Sequence, residues 1–276
     1  MALEDLTYEV RDGVGLLTFA RPQVMNAFRR QTQREFVEVL AEAEQDPDMR
    51  CLVITGAGRA FCSGADLKDL AGGRGGEDWT ERQDHGAPRQ RIASAKAASS
   101  HFYAGRVLES FSKPTIAAVN GYCVGGGMMF ALPADIRIAS EQARFAVIFT
   151  RRGLTPETGV SYYLPRLVGQ EMALLLTYTG DMIDGAEAQR IGLVSRVVPH
   201  DRLMEETMAL ARRIAAGPTV QLTFAKMQVR LGMQVSNPEV NYAMEAWGLQ
   251  SAAATEDYLE GHRAFYEKRD PKFTGR

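Results

Sequence analysis

Two glycine-bearing segments carry the backbone chemistry this chain can do. They are Phe61-Cys62-Ser63-Gly64-Ala65-Asp66-Leu67-Lys68 and Asn120-Gly121-Tyr122-Cys123-Val124-Gly125-Gly126-Gly127, the second entering an apolar run that ends at Ala134-Asp135. Backbone N–H groups from two such loops, one of them at a helix N-terminus, can converge on a carbonyl oxygen. There they would stabilise the negative charge of an enolate, which is the work of an oxyanion hole. Glycines at strand-to-helix junctions can also serve tight packing alone.

The elements that position these loops are legible as short apolar runs. Leu6 to Val10 and Val14 to Phe19 flank Asp12-Gly13, a two-residue hairpin signal. Phe36, Val37, Leu40 and Ala41 recur at helical spacing before a buried strand at Cys51 to Thr55, so the chain opens β-β-α-β. A helical stretch through Val107, Leu108 and Phe111 stops at Pro114, and Thr115 to Val119 reads as the strand feeding the second glycine loop. Ile136 to Ile138 and Arg144 to Val147 read as two further strands. Beyond Gly169 the pattern is helical, with Leu203, Thr207, Leu210 and Ile214 on one face and a helix starting after Gly217-Pro218. Residues 72–103 contain a glycine-rich, charged stretch and read as a surface insertion or lid.

With 276 residues, 45% hydrophobic and 24% charged, the chain can bury one large core with an appended helical subdomain. A net charge of −2 gives no global attraction for nucleic acid or an anionic membrane. The N-terminus has no signal-peptide pattern and no run reaches a membrane-spanning length, so the expected location is cytoplasmic. Cys51, Cys62 and Cys123 lack metal or redox spacing and read as reduced core residues. No metal cluster is suggested.

Taken in order, Arg21-Pro22, Met25-Asn26-Ala27, the two glycine segments and Glu267-Lys268-Arg269 make the chain resemble the crotonase superfamily, the enoyl-CoA hydratases and isomerases. The resemblance implies an α/β fold: a crotonase-like spiral of ββα turns over residues 1–199, with the acyl-CoA site, and a C-terminal helical trimerisation subdomain over 200–276. By resemblance, the N–H groups of Ala65 and Gly126 hold a thioester oxygen. Ala27, Ala65, Asp66, Leu67 and Lys68 border CoA, and Phe265 and Lys268 belong to a region that closes over it. CoA would be part of the substrate, with no separate cofactor, and the assembly a homotrimer or hexamer. The residue reading allows duller roles: Asp66 and Lys68 as loop-capping or solvated groups, and Tyr258, Leu259, His262, Phe265 and Tyr266 as a packing face.

The chain also departs from the family. Where typical hydratases carry their two catalytic glutamates, it has Met129 and Phe149, neither able to move a proton. Glu157, in Gly153-Leu154-Thr155-Pro156-Glu157-Thr158-Gly159, stands where dienoyl-CoA isomerases and 4-chlorobenzoyl-CoA dehalogenases place an aspartate. An apolar pocket of Met129, Phe130 and Phe149, which would also contact the acyl group, would raise its pKa towards neutrality. Thr155-Pro156-Glu157 can equally be read as a helix cap, an N1 proline and a first-turn acid. His101 is a candidate partner of Glu157, and Arg151 and Arg152 read as ion-pairing or phosphate-facing groups. The leading expectation is an acyl-CoA enzyme of hydratase/isomerase type using Glu157 as acid/base. The alternatives are an aroyl- or alicyclic-CoA hydrolase or dehalogenase using Glu157 with His101, and a noncatalytic CoA-thioester-binding protein.

Overall fold

A computed structural model describes residues 3–66, 68 and 103–276. The expected lid therefore lies outside the described residues apart from Tyr103, as do Leu67 and His101. The opening hairpin forms as the sequence indicates. β1 (Leu6–Arg11) and β2 (Val14–Phe19) pair antiparallel with Arg11 opposite Val14. Asp12 and Gly13 both adopt positive φ, which matches the right-handed twist of the strands they join.

After the helix α1 (Arg30–Gln45), the chain repeats one manoeuvre three times. The strand pairs are β3 (Cys51–Gly56) with β4 (Ala60–Cys62), β5 (Thr115–Val119) with β6 (Tyr122–Val124), and β7 (Ile136–Ser140) with β8 (Arg144–Ala146). Each pair gives its first strand to one sheet and its second to another. Two closing strands, β9 (Met182–Asp184) and β10 (Arg196–Val198), complete a six-stranded sheet, β1-β2-β3-β5-β7-β10, and a four-stranded sheet, β4-β6-β8-β9. Equivalent strands of successive repeats pair in parallel, so the path is a spiral.

The central strands bury both faces, which explains their unbroken apolar runs. Leu52, Ile54, Ala117 and Val119 face the main core with Phe19, Phe36, Phe61 and Phe130, whereas Cys51, Val53, Ile116 and Ala118 face the opposite side. That second side is covered by a C-terminal helix. Within the spiral, α2 (Tyr103–Ser110) precedes β5; α3 (Val160–Val168) and α4 (Gln170–Thr179) follow β8, and α5 (Gly185–Arg190) links β9 to β10. The covering helix is α6 (Leu203–Ala215), which buries Leu203, Thr207, Ala211 and Ala215 one turn apart, with Leu210 and Ile214 at the edge of the contact.

The structure corrects one expectation and adds detail to two others. The region after Gly169 is not purely helical, since β9 and β10 interrupt it; three-residue strands are too short to show a period and exist because β8 and β7 supply their hydrogen-bonding partners. The second glycine loop opens a short 3-10 helix, Gly125–Phe130. The apolar face expected at the C-terminus is only partly covered within the chain, at the half-buried Tyr258. On α9 (Glu256–Glu267), which follows α7 (Thr219–Gly232) and α8 (Pro238–Ala253), Leu259, Phe265 and Tyr266 are exposed and Ala264 is the buried apolar residue.

Candidate active site

The two glycine loops meet through their backbones. Phe28 crosses beside the first loop: its N–H donates to the Gly64 carbonyl at 2.9 Å and its carbonyl accepts from the Asp66 N–H at 2.8 Å, forming a parallel bridge opposite Ala65. In a parallel bridge the facing residue turns its own N–H away from its partner, so the Ala65 amide is left over. Gly126 is the second residue of its 3-10 helix, and the first N–H groups of a helix have no acceptor within it. Neither amide donates to another described residue. Side chains are excluded where the loops touch. A Cβ on Gly64, which has φ +105°, would lie 3.1 Å from the Val124 carbonyl oxygen and 3.7 Å from the Gly126 nitrogen; one on Gly127 would lie 2.2 Å from the Cys62 carbonyl oxygen.

Beneath these loops Cys62 and Cys123 face each other in the β4–β6 register, both free and buried. Burial pushes the Cys62 thiol up to about 12 and the Cys123 thiol well above its ordinary value, so both stay neutral, as their core reading requires.

Glu157 lies on a turn packed against the second loop. The helix-cap reading is overturned: α3 begins at Val160, its N-cap is Gly159, and its first turn contains no acid. The Val160 N–H donates to the Glu157 carbonyl at 3.1 Å, while Thr158 and Gly159 take φ of +59° and +83°. Left-handed backbone costs a residue with a Cβ about 1–2 kcal/mol. Thr158 is nonetheless buried, and its methyl carbon Cγ2 lies 3.8 Å from the point a Cβ on Gly126 would occupy. The Glu157 side chain is exposed at the surface, yet desolvation by the protein around it raises its carboxyl above the ordinary value.

Met129 and Phe149, at the positions of the absent glutamates, are members of the main core. A Cβ on Gly105 of α2 would lie 3.5 Å from the Met129 Cβ and 3.9 Å from the Thr158 carbonyl oxygen, which puts Met129 beside the Glu157 turn. The expected apolar pocket is corrected at Phe130. Its ring packs 4.8 Å from Phe19, 4.9 Å from Phe36 and 5.6 Å from Phe28, inside the core.

On the other side of Ala65 a cavity of about 510 Å³ is lined by Arg21, Val24, Ala27, Arg29, Ala65, Asp66 and Lys68. The fold thus brings together four residues singled out in the sequence: Ala27, Ala65, Asp66 and Lys68. Asn26 fixes this wall from a left-handed conformation, accepting from the Arg21 N–H and donating to the carbonyls of Ala57 and Ala60. Arg21 donates to the Ala27 carbonyl at 2.6 Å and pairs with Asp66 at 3.0 Å, so Asp66 is engaged within the wall. Asp66 also accepts from the Lys68 N–H at 3.2 Å. Both arginines of this lining are engaged by acids, Arg29 by Asp5 at 2.8 Å and Glu4 at 3.1 Å and Arg21 by Asp66 and by Asp5 at 3.5 Å, while Lys68 is exposed at its edge. Arg21 and Arg29 were not singled out from sequence as lining residues; the signal was the Arg21-Pro22 motif and its distance from Ala27.

The remaining candidates lie elsewhere. Phe265 lines a separate cavity with Tyr258, His262 and Phe273, and Lys268 ends α9 in a left-handed conformation; neither lines the cavity at Ala65. Arg151 pairs with Asp181 and donates to the Thr179 carbonyl. Among the described residues there is no group of three or more metal-ligating side chains.

The sequence matches the enoyl-CoA hydratase/isomerase family over residues 9–276. It is 35% identical to a crotonyl-CoA hydratase of Syntrophomonas wolfei over 275 residues, covering 99% of both chains. It is 33% identical to a 1,2-epoxyphenylacetyl-CoA isomerase of Escherichia coli over 274 residues, covering 99% of this chain and all of that one. The fold is similar to the crystal structure of an enoyl-CoA hydratase from Bacillus anthracis, with a TM-score of 0.87, 30% identity, and coverage of 99% of this chain and all of that one.

Proposed function

We propose a mechanism from one premise: the chain belongs to the enoyl-CoA hydratase/isomerase family. It processes acyl-CoA thioesters, and the reading its residues support best is isomerisation by proton transfer. The Ala65 and Gly126 N–H groups donate to the thioester oxygen. Glu157 removes a proton from the acyl chain, and the charge that appears on the oxygen meets two donors already in place. The same carboxyl then returns the proton to another carbon of the dienolate.

The observation that carries this reading is the exchange of positions. Both usual glutamate sites are filled by core residues, Met129 and Phe149, while Glu157 stands on a turn that packs against Gly126. Hydration of a double bond by the usual route needs acid/base groups for both water and carbon, whereas a proton shuttle can run on one carboxylate. Desolvation supports that role, because a raised pKa brings a carboxylate closer to the basicity proton abstraction requires. Lys68, exposed at the edge of the Ala65 cavity, would meet a phosphate of CoA, which is part of the substrate; the mechanism calls on no further cofactor.

The exposed apolar residues of the C-terminal helices, among them Val229, Met233, Trp247, Leu249 and Leu259, support assembly as a homotrimer or hexamer. No helix of the described residues is long and apolar enough to cross a membrane. We place the protein in the cytoplasm, which cell fractionation tests.

The deciding experiment compares wild type with Glu157→Gln on enoyl-, dienoyl-, alicyclic and aroyl-CoA thioesters in deuterated water, read by mass spectrometry. Deuterium uptake and product formation lost in the variant support the mechanism. Equal activity in the two proteins refutes it.

A further inference from the structure

The turn that carries Glu157 contains a residue poorly suited to it. Positive φ at both Thr158 and Gly159, with the Val160 N–H donating back to Glu157, is the pattern of a type I′ turn, whose first central position favours Asn, Asp or Gly. A β-branched side chain fits least well there. The other non-glycine residues with positive φ among the described residues are Asp12, Met25, Asn26 and Lys268, none of them β-branched. Local preference does not account for Thr158, so its contacts must.

Those contacts reach both halves of the proposed chemistry. The Thr158 hydroxyl donates to the Glu157 carbonyl at 2.7 Å, so that carbonyl accepts from both Thr158 and Val160. The Thr158 methyl and the Phe28 ring both pack against the Cα of Gly126: Cγ2 of Thr158 lies 3.8 Å, and Cε1 of Phe28 2.9 Å, from where a Cβ on Gly126 would stand, and the Phe28 backbone bridges Ala65. Gly126 is therefore contacted by a residue tied to the other candidate oxyanion donor and by a residue tied to the candidate acid/base.

We propose that Thr158 is a positioning residue, which fixes the Glu157 carboxyl relative to the oxyanion donor at Gly126 through its hydroxyl on one side and its methyl on the other. This rests on the reading of Glu157 as the acid/base. A small error in that spacing costs rate more than binding, because the proton carrier and the enolate oxygen must both be in register in the transition state.

The test uses Thr158→Gly, Thr158→Ser and Glu157→Gln in the full-length protein. The probe is 3-hexenoyl-CoA in deuterated buffer, followed by deuterium uptake, kcat, KM and the pH profile. Glycine suits the turn, so the Tm of Thr158→Gly stays at or above that of wild type. Its kcat falls about tenfold or more with KM within about twofold, as expected for an interaction made only in the transition state. The acidic limb of its profile moves to lower pH as the desolvation that raises the carboxyl is relaxed. Serine, which retains the hydroxyl, recovers part of the lost rate.

Wild-type kcat in Thr158→Gly with an inactive Glu157→Gln overturns the role of Thr158 and leaves that of Glu157 standing. A rate loss in Thr158→Gly that tracks a large fall in Tm overturns it as well, since the residue would then be structural. Full activity of Glu157→Gln, or no exchange by the wild type, overturns both readings.

Discussion

Replacing Gly126 by alanine puts a methyl group 2.9 Å from Cε1 and 3.1 Å from Cζ of Phe28. Carbon atoms pack at about 3.5–4.0 Å, so the ring must retreat by roughly 0.5–1 Å. It has little room to do so. Phe28 is buried and lies edge-on to Phe130, whose ring is enclosed by Phe19 and Phe36. Overpacking of this kind costs about 1–3 kcal/mol of stability. The displacement also moves the bridge between Phe28 and Ala65, so both donors to the thioester oxygen shift together. Misplacement on this scale, or loss of one such donor, lowers kcat by about 10²-fold. Denaturant unfolding measures the first effect and steady-state kinetics on a turned-over thioester the second. A double-mutant cycle with Phe28→Leu then tests the cause: if the ring is what alanine strikes, the two substitutions are non-additive and the pair regains part of the stability lost by Gly126→Ala. A Gly126→Ala protein with an unchanged unfolding midpoint and kcat within threefold of wild type would refute the reasoning.

Glu157→Gln is expected to lower kcat by about 10²–10⁴-fold on the same substrate. Its effect on stability has the opposite sign. Because the folded-state pKa of Glu157 is raised above 4.5, the protonated form is the one folding favours; that contribution is complete below 4.5 and is lost as pH rises through the folded value. Glu157→Gln should therefore have the higher Tm at neutral pH, with the difference vanishing below pH 4.5, as thermal unfolding across pH would show. Lys68→Glu reverses an exposed charge on the wall of the Ala65 cavity. Exposed charge contacts are worth up to about 1 kcal/mol, so KM should rise up to about fivefold, less at high salt, with kcat unchanged. Asp135 accepts from Thr115 and pairs with Lys226 at 2.9 Å and Arg230 at 2.7 Å, joining α7 to the spiral. Asp135→Ala takes this carboxylate from the half-buried Lys226, whose ammonium keeps its bond to the Lys113 carbonyl, and should destabilise the fold by about 1–3 kcal/mol in denaturant unfolding.

The sequence by itself determined what is local or made of backbone. Asp12-Gly13 specified its hairpin because only a few residue types tolerate two positive φ values in a row. The runs at Cys51 to Thr55 and Thr115 to Val119 specified strands buried on both faces, and the two glycine loops marked where backbones would have to touch. The absence of glutamate at Met129 and Phe149 was equally legible. Tertiary structure decided the rest. β9 and β10 are held by partners that no short window contains. Thr155-Pro156-Glu157 reads as a helix start, yet Thr158 and Gly159 turn left-handed and move the start of α3 to Val160. Phe130 belongs to the core because three other rings converge on it from distant segments. The pairing of Arg21 with Asp66, 45 residues away, and the seating of Thr158 against Gly126 likewise depend on the spiral bringing its successive turns together. Spacing along the chain carries the period of an element, and contact between elements is created only when that spiral closes.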